Sequence, residues 1–221
     1  LQTIDYTYNI RSQLRGINLD ASGNMQTSPE KLFSYKLDYH EDGRYYDGNI
    51  SRQSWKSHST IGGMGADARS YTYTYDRSNR IKNASFSGKE NEAYGVSNIS
   101  YDIMGNLQTM ERFGKTGANS WGEIDKLAYS YINSGNRLQQ IDDTGQNASA
   151  GGFINGNSGI DHSYTNAGKI TSDLNKGISL IEYNFLDLVK KQTFSDKTVE
   201  YGYSSTGQRR MRKVTKNGQT N

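Results

Sequence analysis

The residues of this 221-residue chain that could do chemistry are three histidines, a few acidic pairs, a glycine loop, a basic run and 17 tyrosines. His40, His58 and His162 lack the close spacing of a metal motif, and each sits among polar residues that read as solvated loop or strand edge. No GxSxG elbow presents a nucleophile. Glu41 with Asp42, and Asp142 with Asp143, read as turn acids, because adjacent strand residues point to opposite faces and cannot converge as an acid/base pair. The loop GGMGAD, Gly62 to Asp67, lacks the Lys-Ser or Lys-Thr and the helix that a phosphate cradle needs. With no cysteine, disulfides and thiolate metal sites are excluded. A chain without catalytic, metal or cofactor residues is expected. The basic run Arg209, Arg210, Arg212 and Lys213, with Lys216 nearby, is the one candidate polyanion patch. Formal net charge is only +3, so the simpler interpretation is a solvated strand whose charge discourages edge-to-edge aggregation, and nucleic acid is not an expected partner.

The tyrosines follow a phrase: tyrosines one residue apart, often Asp or Asn, a short turn carrying Gly or Asn, then an aliphatic residue. YTYTYDRSNRI places Tyr73, Tyr75, Asp76, Asn79 and Ile81; ISYDIMGNL places Tyr101, Asp102, Gly105 and Leu107. Drifted copies carry Tyr131, Gly135 and Leu138, then Tyr164, Gly168 and Ile170. Tyr183, Asn184 and Val189, then Tyr201, Tyr203 and Gly207, complete the C-terminal copies, and Tyr8, Asn9 and Leu14 open the chain. Alternating tyrosines put large rings on one face of a pleated strand. Asp76 or Asn9 can fold its side chain back on the backbone, and Gly105, Gly135, Gly168 or Gly207 can take positive φ. Each unit is therefore a β-hairpin with a cross-strand tyrosine-aliphatic pair worth about 0.2–1 kcal/mol. A single hairpin is marginal, so the units must stack into an all-β antiparallel array.

Composition bounds this expectation. Hydrophobic content of 33% and mean hydropathy of −0.88 would suit a disordered chain. Against that stand the tyrosine content, the single proline and the regularity of the repeat. The chain opens LQTIDYTYNI, without a basic start and apolar run, and nothing approaches the ~18 apolar residues of a membrane span. It reads as an internal fragment. The expected organisation is diverged repeats over 1–58, a Gly-rich loop at 59–68, the array at 69–216 with loops near 114–122 and 144–159, and a truncated end at 217–221. Within 1–58, Phe33, Tyr35, Leu37 and Tyr39 alternate, Glu41 to Arg44 supply a turn, and Tyr45, Tyr46, Ile50 and Trp55 continue beyond it.

The recurring YD followed by a Gly-containing turn and an aliphatic residue resembles the RHS or YD-repeat family, best from Tyr71 to Val214. The resemblance implies a long antiparallel sheet that spirals into a hollow shell. It also implies a large secreted or surface bacterial protein, many members being polymorphic toxins whose shell encloses a variable C-terminal effector; animal teneurins use a similar shell in adhesion. The family's self-cleaving core carries a Pro and Asp-rich signature, whereas the only proline here is Pro29, and no residue matches the cleavage aspartates. The expected role is non-enzymatic wall, with the remainder of the same polypeptide or an enclosed effector as partner. Secretion machinery or cell-surface glycans are further partners in this view. The alternatives are a surface adhesin or glycan-binding module, and the non-catalytic part of a larger enzyme.

Overall fold

Aromatic and β-branched residues at period two, interrupted by Asp, Asn and Gly turns, dictate short antiparallel strands. The computed structural model describes residues 3–39, 46–58, 67–90, 92–145 and 151–220. Its strands are β1 Tyr6–Tyr8, β2 Leu14–Ile17, β3 Phe33–Asp38, β4 Arg52–Ser57, β5 Arg69–Tyr75, β6 Ile81–Ser87, β7 Val96–Tyr101, β8 Leu107–Lys115, β9 Trp121–Tyr131 and β10 Leu138–Asp143. There follow β11 His162–Tyr164, β12 Ile170–Asp173, β13 Ile178–Tyr183, β14 Val189–Phe194, β15 Lys197–Tyr203, β16 Arg209–Lys216 and β17 Gln219–Thr220. Strands β1 to β10 form a ten-stranded sheet and β11 to β17 a seven-stranded one, each in sequence order. The fold is an all-β array of antiparallel hairpins. Among the described residues helical structure is limited to 3-10 turns at Ile132–Ser134 and Leu174–Lys176, and no helix is long and apolar enough to cross a membrane.

By chain contacts the molecule divides into two compact units. The first comprises Leu1–Ser100, Thr109–Lys126 and Gly145–Gly152; the second comprises Tyr101–Gln108, Leu127–Thr144 and Phe153–Asn221. Each has a thin aliphatic core. Leu37, Ala84 and Ile124 are buried in the first, and Leu127, Ile178, Ile181 and Val199 in the second. Small hydroxyl residues fill out the first unit's interior, where Ser34, Ser51, Ser54, Ser57 and Ser70 are buried. So little aliphatic burial leaves rings and hydrogen bonds to hold neighbouring hairpins together.

Several local expectations differ from what is observed. His162 is buried at the start of β11, since its cross-strand partner Asp173 is buried with it. His58 is half-buried directly after β4. Asp142 and Asp143 close strand β10 instead of forming a turn, because pairing with Ala128 and Leu127 of β9 carries the strand through them. Tyr46 and Ile50 lie in the loop before β4. Asn217 and Gly218 both take positive φ, so the chain reverses there and β17 pairs back on β16. The turn expected at Glu41 to Arg44, His40 and most of the Ser59 to Ala68 loop lie outside the described residues.

Candidate functional site

The repeat is built from one turn geometry, used again and again. Its first residue is Asn9, Asp20, Asp76, Asp102, Thr165, Asn184 or Ser204, whose N–H donates to the carbonyl four residues on, as from Asp76 to Arg80 and Asn184 to Leu188 at 2.9 Å each. The side-chain oxygen then accepts the N–H of that fourth residue, at 3.0 Å for Asn9, 2.9 Å for Asp76, 2.8 Å for Asp102, 3.1 Å for Thr165, 3.0 Å for Asn184 and 3.2 Å for Ser204. Closing this loop forces positive φ on the third residue after the first, which is Gly105, Gly168 or Gly207 in some copies and Ser12, Asn79 or Asp187 in others. The hairpin after Tyr131 is the exception. Ile132 in the first position has no side-chain oxygen, so the longer turn bends through Asn133 and Ser134 at φ 50° and 53°, while Gly135 stays at φ −88°.

Across these turns the signature pairs form as spaced: Tyr8 with Leu14, Tyr75 with Ile81, Tyr131 with Leu138, Tyr164 with Ile170 and Tyr183 with Val189, while Tyr203 faces Arg209. A bulge adjoins Tyr8, Tyr75, Tyr164, Tyr183 and Tyr203, which re-aims the ring along the sheet. The hydroxyl thereby reaches the preceding repeat. Tyr131 donates to the Leu107 carbonyl at 2.8 Å, Tyr164 to Leu138 at 2.7 Å, Tyr183 to Ile170 at 2.8 Å and Tyr203 to Val189 at 2.9 Å. In the first unit Tyr39 donates to Leu14 at 2.9 Å and Tyr75 to Ile50 at 2.8 Å. Each acceptor is the aliphatic residue that follows an earlier turn, so these six tyrosines make a ladder between neighbouring repeats.

A second link runs beside the rungs in the second unit, from the last residue of one turn to the next repeat. Asn106 Nδ2 donates to the Gly135 carbonyl at 2.9 Å. The Arg137 guanidinium lies 5.9 Å from the Tyr164 ring centre and the Lys169 ammonium 5.6 Å from that of Tyr183. Lys169 also pairs with Asp187. Burial pushes the Tyr164 phenol above its usual range, against the opposing charge of Arg137, and burial followed by the Asp102 charge does the same at Tyr131. Both hydroxyls therefore keep the proton that the rung donates. At the turn acids the direction is opposite. The Arg80 N–H holds the Asp76 carboxyl low; at Asp102 burial acts upward but is outweighed by the side-chain and backbone bonds from Asn106.

In the middle of the first unit rings add to the Tyr75 rung. Trp55 and Tyr71 are 5.8 Å apart, Tyr71 and Phe86 5.2 Å, Phe86 and Tyr94 5.3 Å, and Tyr94 and Trp121 4.7 Å. Tyr71 donates to the Tyr94 carbonyl at 2.9 Å, and Arg69 grips Glu92 with two bonds of 2.7 Å. Tyr73, half-buried beside this cluster, has its phenol pushed up to about 12 by burial and then by Tyr35, Tyr75 and Tyr71. Arg112 pairs with the fully buried Asp125.

The basic run does not form one patch. Register places Arg212 opposite Tyr201 and Lys213 opposite Glu200, hence on alternate faces. Lys213 lies 3.7 Å from Glu200, Arg209 sits over the Tyr201 ring at 5.7 Å, and Arg210 donates to Gln208 at 2.8 Å. His162 Nε2 is 3.7 Å from Asp173, whose other oxygen takes Lys176 at 2.7 Å. Among the described residues no cluster of three or more His, Asp or Glu side chains is arranged for a metal. The turn at Asp20 went unread in the sequence, although its Asp-Ala-Ser-Gly-Asn has the same form as Asp102 to Asn106.

No family model matches the chain, and no curated protein matches it. Solved structures do. The crystal structure of TcdB2-TccC3 without its hypervariable C-terminal region is similar over 98% of this chain, with a TM-score of 0.55 and 12% identity. That of TcdB2-TccC3-TEV is similar over 97%, with a TM-score of 0.52 and again 12% identity. The likeness is one of fold. This chain spans only 10% of the length of either.

Proposed function

We propose that this chain is a structural segment of an RHS-type wall within a larger secreted or surface bacterial protein, and that the wall encloses a toxin or effector polypeptide. The segment does no chemistry; it acts by steric exclusion. The observation that carries this reading is the ladder, in which Tyr131, Tyr164, Tyr183 and Tyr203 each fasten a hairpin to the preceding repeat by a hydroxyl-to-carbonyl rung. Such a link needs nothing but another copy of itself, so it suits a wall extended by repetition. Similarity of fold over nearly the whole chain to a structure lacking a hypervariable C-terminal region agrees with a constant wall and a variable cargo. Limited proteolysis of the complete gene product tests it. A polypeptide beyond the repeats should resist cleavage and become sensitive in the Tyr164→Phe, Tyr183→Phe, Tyr203→Phe triple variant. Equal cleavage of that polypeptide in both proteins would refute enclosure.

A further inference from the structure

Asn155–Gly156 and Asn217–Gly218 are the two places where glycine follows asparagine in this sequence. After every other asparagine that has a successor, the next residue carries a Cβ, which crowds the approach of its backbone nitrogen to the asparagine side chain. Glycine removes that obstacle. The two pairs share sequence and exposure but not hydrogen bonding. In the loop between β10 and β11 the Gly156 N–H is held twice, by the Ile154 carbonyl at 3.0 Å and by Oδ1 of Asn175 at 3.0 Å. Where β16 reverses into β17, Asn217 and Gly218 stand at φ 51° and 77°, and the Gly218 N–H meets no acceptor among the described residues. The strand beyond is short. Among the described residues β17 holds to β16 through Thr220 with Thr215 and Gln219 with Lys216, so this end opens at small cost.

We infer that Asn217 is a site of spontaneous backbone rearrangement, a change the chain undergoes and not a reaction it performs on a substrate, independently of the wall reading. The Gly218 nitrogen gives up its proton to solvent base and attacks Cγ of Asn217. The bond from Cγ to the side-chain nitrogen breaks, and ammonia leaves with a proton taken from water. A cyclic imide remains, and water opens it: cleavage at the main-chain carbonyl gives isoaspartate, cleavage at Cγ gives aspartate. One water is consumed and one ammonia released, so no oxidant, metal or partner enters the balance. Isoaspartate carries the main chain through Cβ and Cγ, which adds an atom to a reversal whose residues already sit at positive φ. The new carboxylate lies beside Lys216, which Asp196 holds at 3.0 Å in the native hairpin. Strand β17 is thereby released, and β16 is left as an open edge of its sheet.

Timed incubation of the 221-residue chain at mildly alkaline pH, followed by peptide mass mapping, tests the site. Asn217 should convert about tenfold faster than Asn155, whose attacking nitrogen must first leave its hydrogen bonds. Isoaspartate, told from aspartate by electron-transfer fragmentation, should be the main product at Asn217. Asn175→Ala takes one acceptor from the Gly156 N–H and should speed conversion at Asn155 while leaving Asn217 unchanged. On the converted chain, amide exchange should find Gln219 and Thr220 without protection. Asn217→Gln, whose longer side chain closes its ring more slowly, should keep both its amide and that protection. Conversion of Asn155 as fast as Asn217 overturns the proposal. So does isoaspartate at Asn217 with β17 still protected, which would show that the reversal accommodates the longer backbone.

Discussion

The C-terminal hairpins and the middle of the first unit solve the same problem by different means. Signature tyrosines Tyr164, Tyr183 and Tyr203 stand 19 and 20 residues apart, leaving room for two strands, two turns and nothing more. Cohesion there is distributed, one rung at a time, with a cation set over the ring of Tyr164 and of Tyr183 as a second link. Between β4 and β9 the connections are longer, and what they add is concentrated: the ring cluster from Trp55 to Trp121, the Arg69–Glu92 pair and the Arg112–Asp125 pair. A distributed design tolerates the loss of any one link. A concentrated one fails where its few strong contacts are cut.

Breaking the strong contacts should therefore have the largest effect. Arg112→Ala leaves the fully buried Asp125 carboxylate without its guanidinium, and a loss of about 3–5 kcal/mol is expected in chemical denaturation. A loss below about 1 kcal/mol would show that the pair is dispensable. The turn geometry gives the next effect. Gly168→Ala places a side chain at φ 83° and should cost about 1–2 kcal/mol, whereas Gly135→Ala, at φ −88°, escapes that strain and should cost less. Equal costs would mean that the turn relaxes. A single rung is smaller still. Tyr183→Phe should cost about 0.5–1.5 kcal/mol, and adding Tyr203→Phe should bring a similar further loss.

Titration sharpens the contrast at the smallest scale. The Tyr73 phenol is raised from 10.0 to about 12, so the folded state holds this proton longer than the unfolded chain. Its contribution is complete below pH 10.0 and is lost as pH rises to about 12, and Tyr73→Phe should flatten that alkaline loss. Asp76 has the opposite sign. Its carboxyl is held low, so its contribution is present above the ordinary carboxylate range and disappears as pH falls through the depressed value. Asp76→Asn should make that hairpin less sensitive to acid, as followed by amide exchange.

What was legible in the sequence was local. Period-two tyrosines and Asp or Asn before a turn are decided within a dozen residues, and the observed pairs Tyr75 with Ile81 and Tyr183 with Val189 fall at the expected spacing. What was not legible depends on a neighbouring repeat. That a tyrosine hydroxyl ends on a carbonyl 13 to 26 residues earlier cannot be read from either segment alone. Gly135 illustrates a second limit: an added residue shifted positive φ onto Asn133 and Ser134, so a glycine in the turn did not mark the strained position. His162 illustrates a third, since polar neighbours in sequence gave no sign of burial against Asp173 across the hairpin. The basic run was open to two readings, a polyanion patch or a solvated strand, and what sequence could not show was the strand across from it, where Glu200 meets Lys213 and the Tyr201 ring lies under Arg209.

The rungs also have a direction in time. Tyr164, Tyr183 and Tyr203 each donate backwards, to a residue the ribosome has already delivered. A hairpin emerging from the exit tunnel thus finds its acceptor waiting and can lock once its own return strand has paired, without reference to any later repeat. Vectorial synthesis and the polarity of the hydrogen bonds run the same way, so the array can grow like a zip closed from its N-terminal end.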